Sequence, residues 1–517
     1  MVLDVITKSY KNNQFLLVFF TAYFLILAFY FQTQMLLSSD VACLLNEANQ
    51  MLAGGKYGAD FFETNPPMIL YLYFPVCLFA KITSINIILL LRLYVFLLAL
   101  ISAGINLYLL KKIIKPDDKI LLNILYYVML IVMLFLPVNE FGQREHLLLI
   151  LMLPYLFSAV LELQGKSISK SLAFVIGVMA GLGFALKPYF LVTVCLIELY
   201  FIFLNRKIFA WVRIESIVIA SILILYLCSV FFFQPEYINV ILPLVSHYYF
   251  GWMADTWINL LSNPAVTFCW LTIIFYYLVY KKDRYHILNT VLFLAMLGMM
   301  VAFIIPKTPW YYHVLPAMSL AMLLIANCVV QLYSEYLEKN SKKILLFICL
   351  SLFIFSLPIY LVSFRYYQYL NLALSTDTAN KLKNFINAHP GEHSIYCFTT
   401  VGTQDCFPLN YMTDSSYGGR LPFFWWYRGL NIAESSPSSS INKIQVAQEK
   451  KLLIDNVAED LNRYKAKWII VNYYNFGFGG TILVDFIDHN EKFRDAWKQY
   501  RHVMTISQYW IYERKTG

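Results

Sequence analysis

Charge is what this chain has least of. Asp, Glu, Lys and Arg make up only 14% of its 517 residues, where soluble domains carry about 25%. Apolar residues make up 60% and the mean hydropathy is +0.60, more apolar side chain than a water-soluble globule of this size can enclose. The shortage excludes a soluble globular enzyme, a disordered chain, a coiled coil and a collagen. Cysteine pairing signals are missing too: nine cysteines occur without a CxxC pair or a Cys/His spacing, which excludes a zinc module. No internal repeat is present. No small-residue cleavage site follows the apolar run that starts near Phe15, only Gln32-Thr33-Gln34, so that run reads as a retained first span. The net charge of +9 suggests nucleic acid at first sight. However, the Lys and Arg residues fall in short clusters between apolar runs, the pattern of cytoplasmic loops, and nucleic-acid binding is excluded.

What is present is a polytopic α-helical membrane protein. Apolar runs occur at about 14–36, 86–110, 120–138, 147–163, 171–186, 188–204, 214–233, 264–280, 287–305, 314–333 and 344–364. A further run, 68–80, is too short for an upright span and suits a helix lying in the interface. Charge decides the count. If 68–80 crosses, the clusters at Lys111-Lys112, Lys166/Lys170 and Arg206-Lys207 fall outside; if it does not, they fall inside with Lys8/Lys11, Lys281-Lys282 and Lys342-Lys343. The positive-inside rule prefers the second, giving about eleven transmembrane helices with the N-terminus inside and the C-terminal tail outside. Within the spans, Cys195, Cys228, Cys269, Cys328 and Cys349 read as small core hydrophobes.

The composition changes near Arg365. Residues 1–364 form the transmembrane domain, and 365–517, polar and turn-rich, form an extracytoplasmic α/β domain. Its expected elements are helices at 377–388 and 443–464, a buried strand in Lys467-Trp468-Ile469-Ile470-Val471-Asn472-Tyr473, and a strand at 503–512. Cys397 and Cys406 would form a disulfide if this tail lies outside the cytoplasm.

On that topology the unusual polar residues collect at one face. The first outer loop carries Asp40, Glu47, Asp60 and Glu63; the second carries Glu140, Arg144, Glu145 and His146. Lys187 ends an apolar stretch, and Lys307 and His313 flank Trp310-Tyr311-Tyr312 at the end of another. Ionisable groups at a membrane edge are costly, so each is a functional candidate. The set suits transfer of a group from a phosphate-bearing lipid. A carboxylate (Asp40 or Glu145) takes or orients the proton of a poorly nucleophilic hydroxyl. Cations and strong donors (Arg144, Lys187, Lys307, His313) stabilise the departing phosphate.

The stretch Asp40-(x)6-Glu47-Ala48-(x)2-Met51-Leu52-Ala53-Gly54-Gly55, followed by Asp60-(x)2-Glu63-Thr64-Asn65-Pro66-Pro67, resembles the first outer loop of integral-membrane GT-C glycosyltransferases. It looks most like the branch that holds protein O-mannosyltransferases and the lipid A aminoarabinose transferase. The resemblance implies catalytic or orienting carboxylates at Asp40 and Glu63, and a second acidic position at Glu145, where the family usually has Asp. Gly181-Leu182-Gly183-Phe184-Ala185-Leu186-Lys187 is similar to the family's glycine-rich span ending in Lys, and Lys307-(x)3-Tyr311-Tyr312-His313-(x)2-Pro316 to its later outer loop. The match runs in order over about 330 residues, though each motif is short. What it implies is a GT-C-like fold and an inverting transfer of a sugar from a polyprenyl-phosphate donor to a lipid, glycan or protein acceptor. The place would be the outer face of a bacterial inner membrane, in cell-envelope or lipopolysaccharide assembly. No cofactor is certain; the departure at Glu145 leaves a divalent metal open.

Plainer roles compete at each position. Asp40 would cap a helix over 41–52, Arg144-Glu145 would be a structural ion pair, and His146 a packed or capping His. Lys187 would snorkel; Trp310-Tyr311-Tyr312 would be an interfacial belt; Arg92, inside a span, would pair with a carboxylate or lipid head. His247-Tyr248-Tyr249, Trp252 and Trp257 would shape a lipid or acceptor groove. The rival functions are a flippase or transporter for lipid-linked saccharides, disfavoured by the missing inverted repeat, and an O-antigen ligase-like protein.

Overall fold

The computed structural model describes residues 13–249, 254–279, 284–336, 363, 376–435, 443–476 and 480–515. The expected span 344–364, the 364/365 boundary, Cys349, Trp252 and the Lys8/Lys11, Lys281-Lys282 and Lys342-Lys343 clusters lie outside the described residues, apart from Ser363. Two compact units emerge. One comprises Met1–Met35, Leu91–Leu225 and Asp255–Tyr366; the other comprises Leu36–Leu90, Tyr226–Ala254 and Tyr367–Gly517.

The first unit is helical. Among the described residues six helices are long and apolar enough to cross a membrane: Ile87–Ile113, Arg144–Leu163, Pro188–Asn205, Ile214–Phe233, His286–Ile304 and Tyr311–Leu332. Four other expected spans, at Val18–Thr33, Lys119–Leu134, Lys170–Phe184 and Pro264–Tyr277, are apolar helices of shorter length, as is Met68–Thr83. Burial sorts them. Arg144–Leu163 and Tyr311–Leu332 are 89% buried over their apolar windows, while Ile214–Phe233 is 17% buried. The two buried helices therefore form the centre of the unit, and a peripheral helix turns residues such as Leu225 outward. A helix apolar on every side can sit in either place. That ambiguity explains one correction: Cys269 and Cys328 are buried as expected, but Cys195 and Cys228 are exposed. Lipid-facing surface is as apolar as the core, so hydropathy does not separate them.

Two glycines allow the helices to close. A Cβ on Gly181 would lie 2.9 Å from the Ile222 Cβ, and one on Gly298 would lie 2.8 Å from the Thr193 Cα. A polar knot that the sequence reading did not single out joins three helices. Arg213, almost buried, donates to Glu162 at 3.0 Å and Glu198 at 2.7 Å; Tyr155 donates to Glu198 at 2.6 Å and Ser158 to Glu215 at 2.5 Å.

In the second unit the first loop clusters with the tail. The helix Ser39–Leu52 packs on Met68–Thr83. The Phe62 amide donates to the Arg420 carbonyl at 2.9 Å, and Arg463 bridges to Asp60 at 2.6 Å. The tail is a five-stranded sheet: β1 (Ser394–Phe398), β2 (Ser416–Tyr417), β3 (Trp468–Asn472), β4 (Tyr500–Ile506) and β5 (Tyr509–Arg514), in the order β2-β1-β3-β5-β4. β1 pairs parallel with β2 and β3; β5 pairs antiparallel with β3 and β4. The helices Thr376–Asn387 and Lys443–Arg463 and the strand β3 fall where the sequence places them. The strand expected at 503–512 is instead the hairpin β4–β5. Ser507 takes a φ of 50° at its turn, and residues on both sides of that turn alternate, so the run looked continuous. Cys397 and Cys406 form a disulfide, with Cα atoms 5.8 Å apart.

Candidate functional site

Two groups of candidate residues assemble, one in each unit. In the helical unit, Gln143 caps the helix Arg144–Leu163 through its side chain, which accepts from the Arg144 amide, and this places Glu145 in the first turn. Lys187 lies in the short break between Lys170–Phe184 and the next helix, and His313 lies in the first turn of Tyr311–Tyr336. The three meet. Lys187 Nζ is 2.5 Å from Glu145 Oε1 and 3.3 Å from His313 Nε2, and Nε2 is 3.6 Å from the same carboxylate oxygen. Thr308 Oγ1 lies 2.7 Å from His313 Nδ1. The network fits a neutral imidazole whose Nδ1–H donates to Thr308 and whose Nε2 accepts from the ammonium, an assignment from the hydrogen bonds. His313 therefore aligns Lys187 and brings no second cation. All three side chains are nearly enclosed, with Glu145 1% and Lys187 5% exposed. The second oxygen of Glu145 is buried without a hydrogen-bond partner among the described residues. Tyr312 belongs here rather than to a simple aromatic belt: the Arg144 guanidinium and the Lys187 ammonium lie 5.8 and 5.7 Å from its ring centre.

Other candidates in this unit are occupied elsewhere. His146 Nε2 donates to the Met133 carbonyl at 2.6 Å and its Nδ1 accepts from the Gly142 amide at 3.0 Å, so it braces the loop before its own helix. Arg92 donates to the Met35 carbonyl at 2.5 Å. Lys307 sits with a φ of 53° and its ammonium 4.5 Å above the Trp257 ring; among the described residues no bond joins it to the Lys187 cluster.

In the second unit the first-loop carboxylates converge on Cys43. The helix begins at Ser39 after Ser38, which makes no side-chain cap. Asp40 thus lies inside the first turn, where the helix dipole favours a negative charge, and is not the N-cap that its sequence context suggested. Asp40 Oδ1 accepts from Thr403 Oγ1 at 3.0 Å. One turn on, Cys43 Sγ lies 3.7 Å from Glu47 Oε1. Glu63 is buried, and its Oε1 accepts from the Asn65 amide at 2.6 Å and from the Thr64 hydroxyl at 3.2 Å, which folds the turn into Pro66-Pro67. Burial, then the charges of Glu47, Glu63 and Asp40, push the Cys43 thiol well above its usual value. The ligand atoms of Cys43, Glu47 and Glu63 lie within 4.8 Å of one another, so one sulfur and two carboxylates can hold a metal ion here. Sequence reasoning passed over Cys43 and Thr403. Cys43 was detectable from its place three residues after Asp40 and four before Glu47, on one helical face; Thr403, 363 positions from Asp40, gave no such signal. Residues 247–249 are also committed within this unit, with Tyr248 against Gly429 and Tyr249 against Trp425.

An apolar helical unit with an enclosed Lys–Glu–His cluster, and a loop-and-sheet unit with gathered carboxylates, are carried on a fold shared with integral-membrane GT-C glycosyltransferases. The chain is similar in structure to ArnT from Cupriavidus metallidurans in two crystal structures, one apo and one bound to undecaprenyl phosphate. With the apo form the TM-score is 0.54 at 11% identity over 98% of each chain; with the form bound to undecaprenyl phosphate it is 0.53 at 10% identity over 96% of this chain and 97% of that one. The Archaeoglobus fulgidus oligosaccharyltransferase tethered to an acceptor peptide aligns with a TM-score of 0.42 at 11% identity, over 96% of this chain and 74% of its own. No protein-family model and no curated protein matches the chain by sequence. The likeness shows the GT-C fold expected from the first-loop pattern.

Proposed function

We propose that the protein is a glycosyltransferase that moves a sugar from a polyprenyl-phosphate-linked donor to a lipid, glycan or protein acceptor at the outer face of the inner membrane. The observation that carries this reading is Lys187: an ammonium held almost out of solvent in an apolar unit, aligned by Glu145 and His313. Such a cation stabilises a lipid phosphate far better than an exposed one. A bound phosphate would take over one of the three N–H donors of Lys187 while Glu145 keeps the ammonium charged and oriented. The undecaprenyl phosphate bound to the similar ArnT structure supports this class of donor.

In the reaction, Asp40 orients or deprotonates the acceptor hydroxyl, the hydroxyl oxygen attacks the anomeric carbon, and the bond to the donor phosphate breaks with inversion. The charge that develops on the leaving phosphate falls to Lys187, with Arg144 as a second cation near the same Tyr312 ring. Glu63 shapes the turn into Pro66-Pro67, farther along the same outer loop. The Cys397–Cys406 disulfide supports an extracytoplasmic tail, because such bonds persist in oxidising compartments. The test is glycolipid and glycan profiling of a deletion strain complemented with wild type or Asp40→Asn. The expected result is loss of one glycosylated species, restored by wild type. Asp40→Asn should lose about 10²–10⁴ in rate while reaching the membrane in normal amount. Full restoration by Asp40→Asn would overturn the assignment.

A further inference from the structure

The hydroxyl that Asp40 accepts from belongs to an unusually constrained piece of chain. Thr403 lies in the loop between Cys397, on the buried strand β1, and Cys406, and the disulfide closes that loop. Three more ties pin it. Asp405 accepts from Asn472 Nδ2 on β3 at 3.0 and 3.1 Å and from the Tyr509 hydroxyl on β5 at 2.6 Å. The Phe424 amide donates to the Thr399 carbonyl at 2.7 Å. Thr400 donates to the Asn475 carbonyl. Thr403 is buried and opens the turn Thr403–Asp405, so its hydroxyl has little freedom of position. The helix bearing Asp40 starts without a side-chain cap.

We propose that the disulfide-closed loop 397–406 is a positioning device for the transfer site, with Thr403 holding the Asp40 carboxylate where the acceptor meets it. The inference rests on the role given to Asp40 above. It makes the extracytoplasmic sheet part of the catalytic apparatus: Asp40 is placed by a residue more than three hundred positions away, and the bridge keeps that residue still. A carboxylate displaced by about 1 Å can cost on the order of 10²-fold in turnover, so a loosened loop acts on rate rather than on donor affinity.

The experiment compares wild type, Asp40→Asn, Thr403→Val, Thr403→Ser and Cys397→Ala/Cys406→Ala as full-length proteins. Each complements the deletion strain, and each is purified for thermal unfolding and for binding of undecaprenyl phosphate. Thr403→Val keeps the shape and removes the donor; it should lower product formation about 10–100-fold with phosphate binding and unfolding unchanged, and Thr403→Ser should restore most of the loss. The bridge is tested on folded wild-type protein, in case the double variant does not fold. Dithiothreitol exchanges with the bridge, leaving two protein thiols and closing its own cyclic disulfide. Hydrogen exchange should then rise together at 399–406 and at 38–42. Wild-type product from Thr403→Val, beside an inactive Asp40→Asn, overturns this inference and leaves the proposed function standing. Wild-type product from Asp40→Asn removes both. Unchanged exchange at 38–42 after reduction overturns the part assigned to the disulfide.

Discussion

Replacing Lys187 by Met keeps the stem and deletes the charge, and the structure says this is costly. At an effective dielectric of about 20, unit charges 2.5 Å apart attract by roughly 6–7 kcal/mol. Desolvating the two ions takes back much of that, and removing one partner of a buried pair typically costs about 3–5 kcal/mol, because the other charge stays enclosed. Lys187→Met alone should therefore destabilise the protein by about that much, with Glu145 left 1% exposed beside a neutral chain. Lys187→Met/Glu145→Gln removes both charges and should recover most of the loss. Neither variant should hold undecaprenyl phosphate as wild type does. Unfolding in detergent gives the stabilities, and native mass spectrometry gives the lipid binding. If the single variant is as stable as wild type, the pair does not carry the energy assigned to it. If the double variant binds undecaprenyl phosphate normally, the phosphate is not held by Lys187, and Arg144 becomes the residue to test.

Gly298→Ala should destabilise the helical unit by about 1–3 kcal/mol, since its new Cβ would stand 2.8 Å from the Thr193 Cα; an unchanged midpoint in detergent unfolding would disprove that close approach. Asp60 should confer an acid dependence on the loop-to-tail tie. Partial burial works against its carboxylate, but the Lys56 amide and the Arg463 guanidinium outweigh it and hold the acid below its ordinary value. A folded value below the unfolded one means stability present at neutral pH and lost as the pH falls below about 4; Arg463→Ala should flatten that part of the unfolding profile, and an identical profile would count against the pair. Topology reporters fused at Lys115 and at Gly391 should report opposite sides of the membrane, and equal sides would refute the span count drawn from the charge clusters.

The sequence made the residue types of the candidate site visible and left their pairing hidden. Glu145, Lys187 and His313 each stand out as ionisable groups interrupting apolar stretches, which is an energetic signal that one chain can carry alone. That Glu145 and Lys187 form a pair 42 positions apart, and that His313 joins them across a further 126, depends on how helices pack, and periodicity does not encode it. The same limit applies to Arg92 and His146, whose partners are backbone carbonyls and amides, groups that every residue possesses. The polar knot at Arg213 was missed because its three carboxylates lie in runs that average as apolar. In the tail, β3 was legible because four buried apolar or aromatic residues in a row, Trp468 to Val471, leave few alternatives, whereas β2, two residues long, carries almost no pattern.

The strand order of the tail also determines how its sheet meets a neighbouring strand. Its sheet has two rims. One is β2, which offers an approaching strand only two residues to pair with. The other is β4, which carries Arg501 and His502 and shifts register between His502 and Met504, so its row of amides and carbonyls is charged and kinked. Neither rim is a good template for a foreign strand. Copies of this chain can stand close together in the plane of a bilayer without their sheets adding to one another, and a substitution that straightened β4 or removed its charges would weaken that protection.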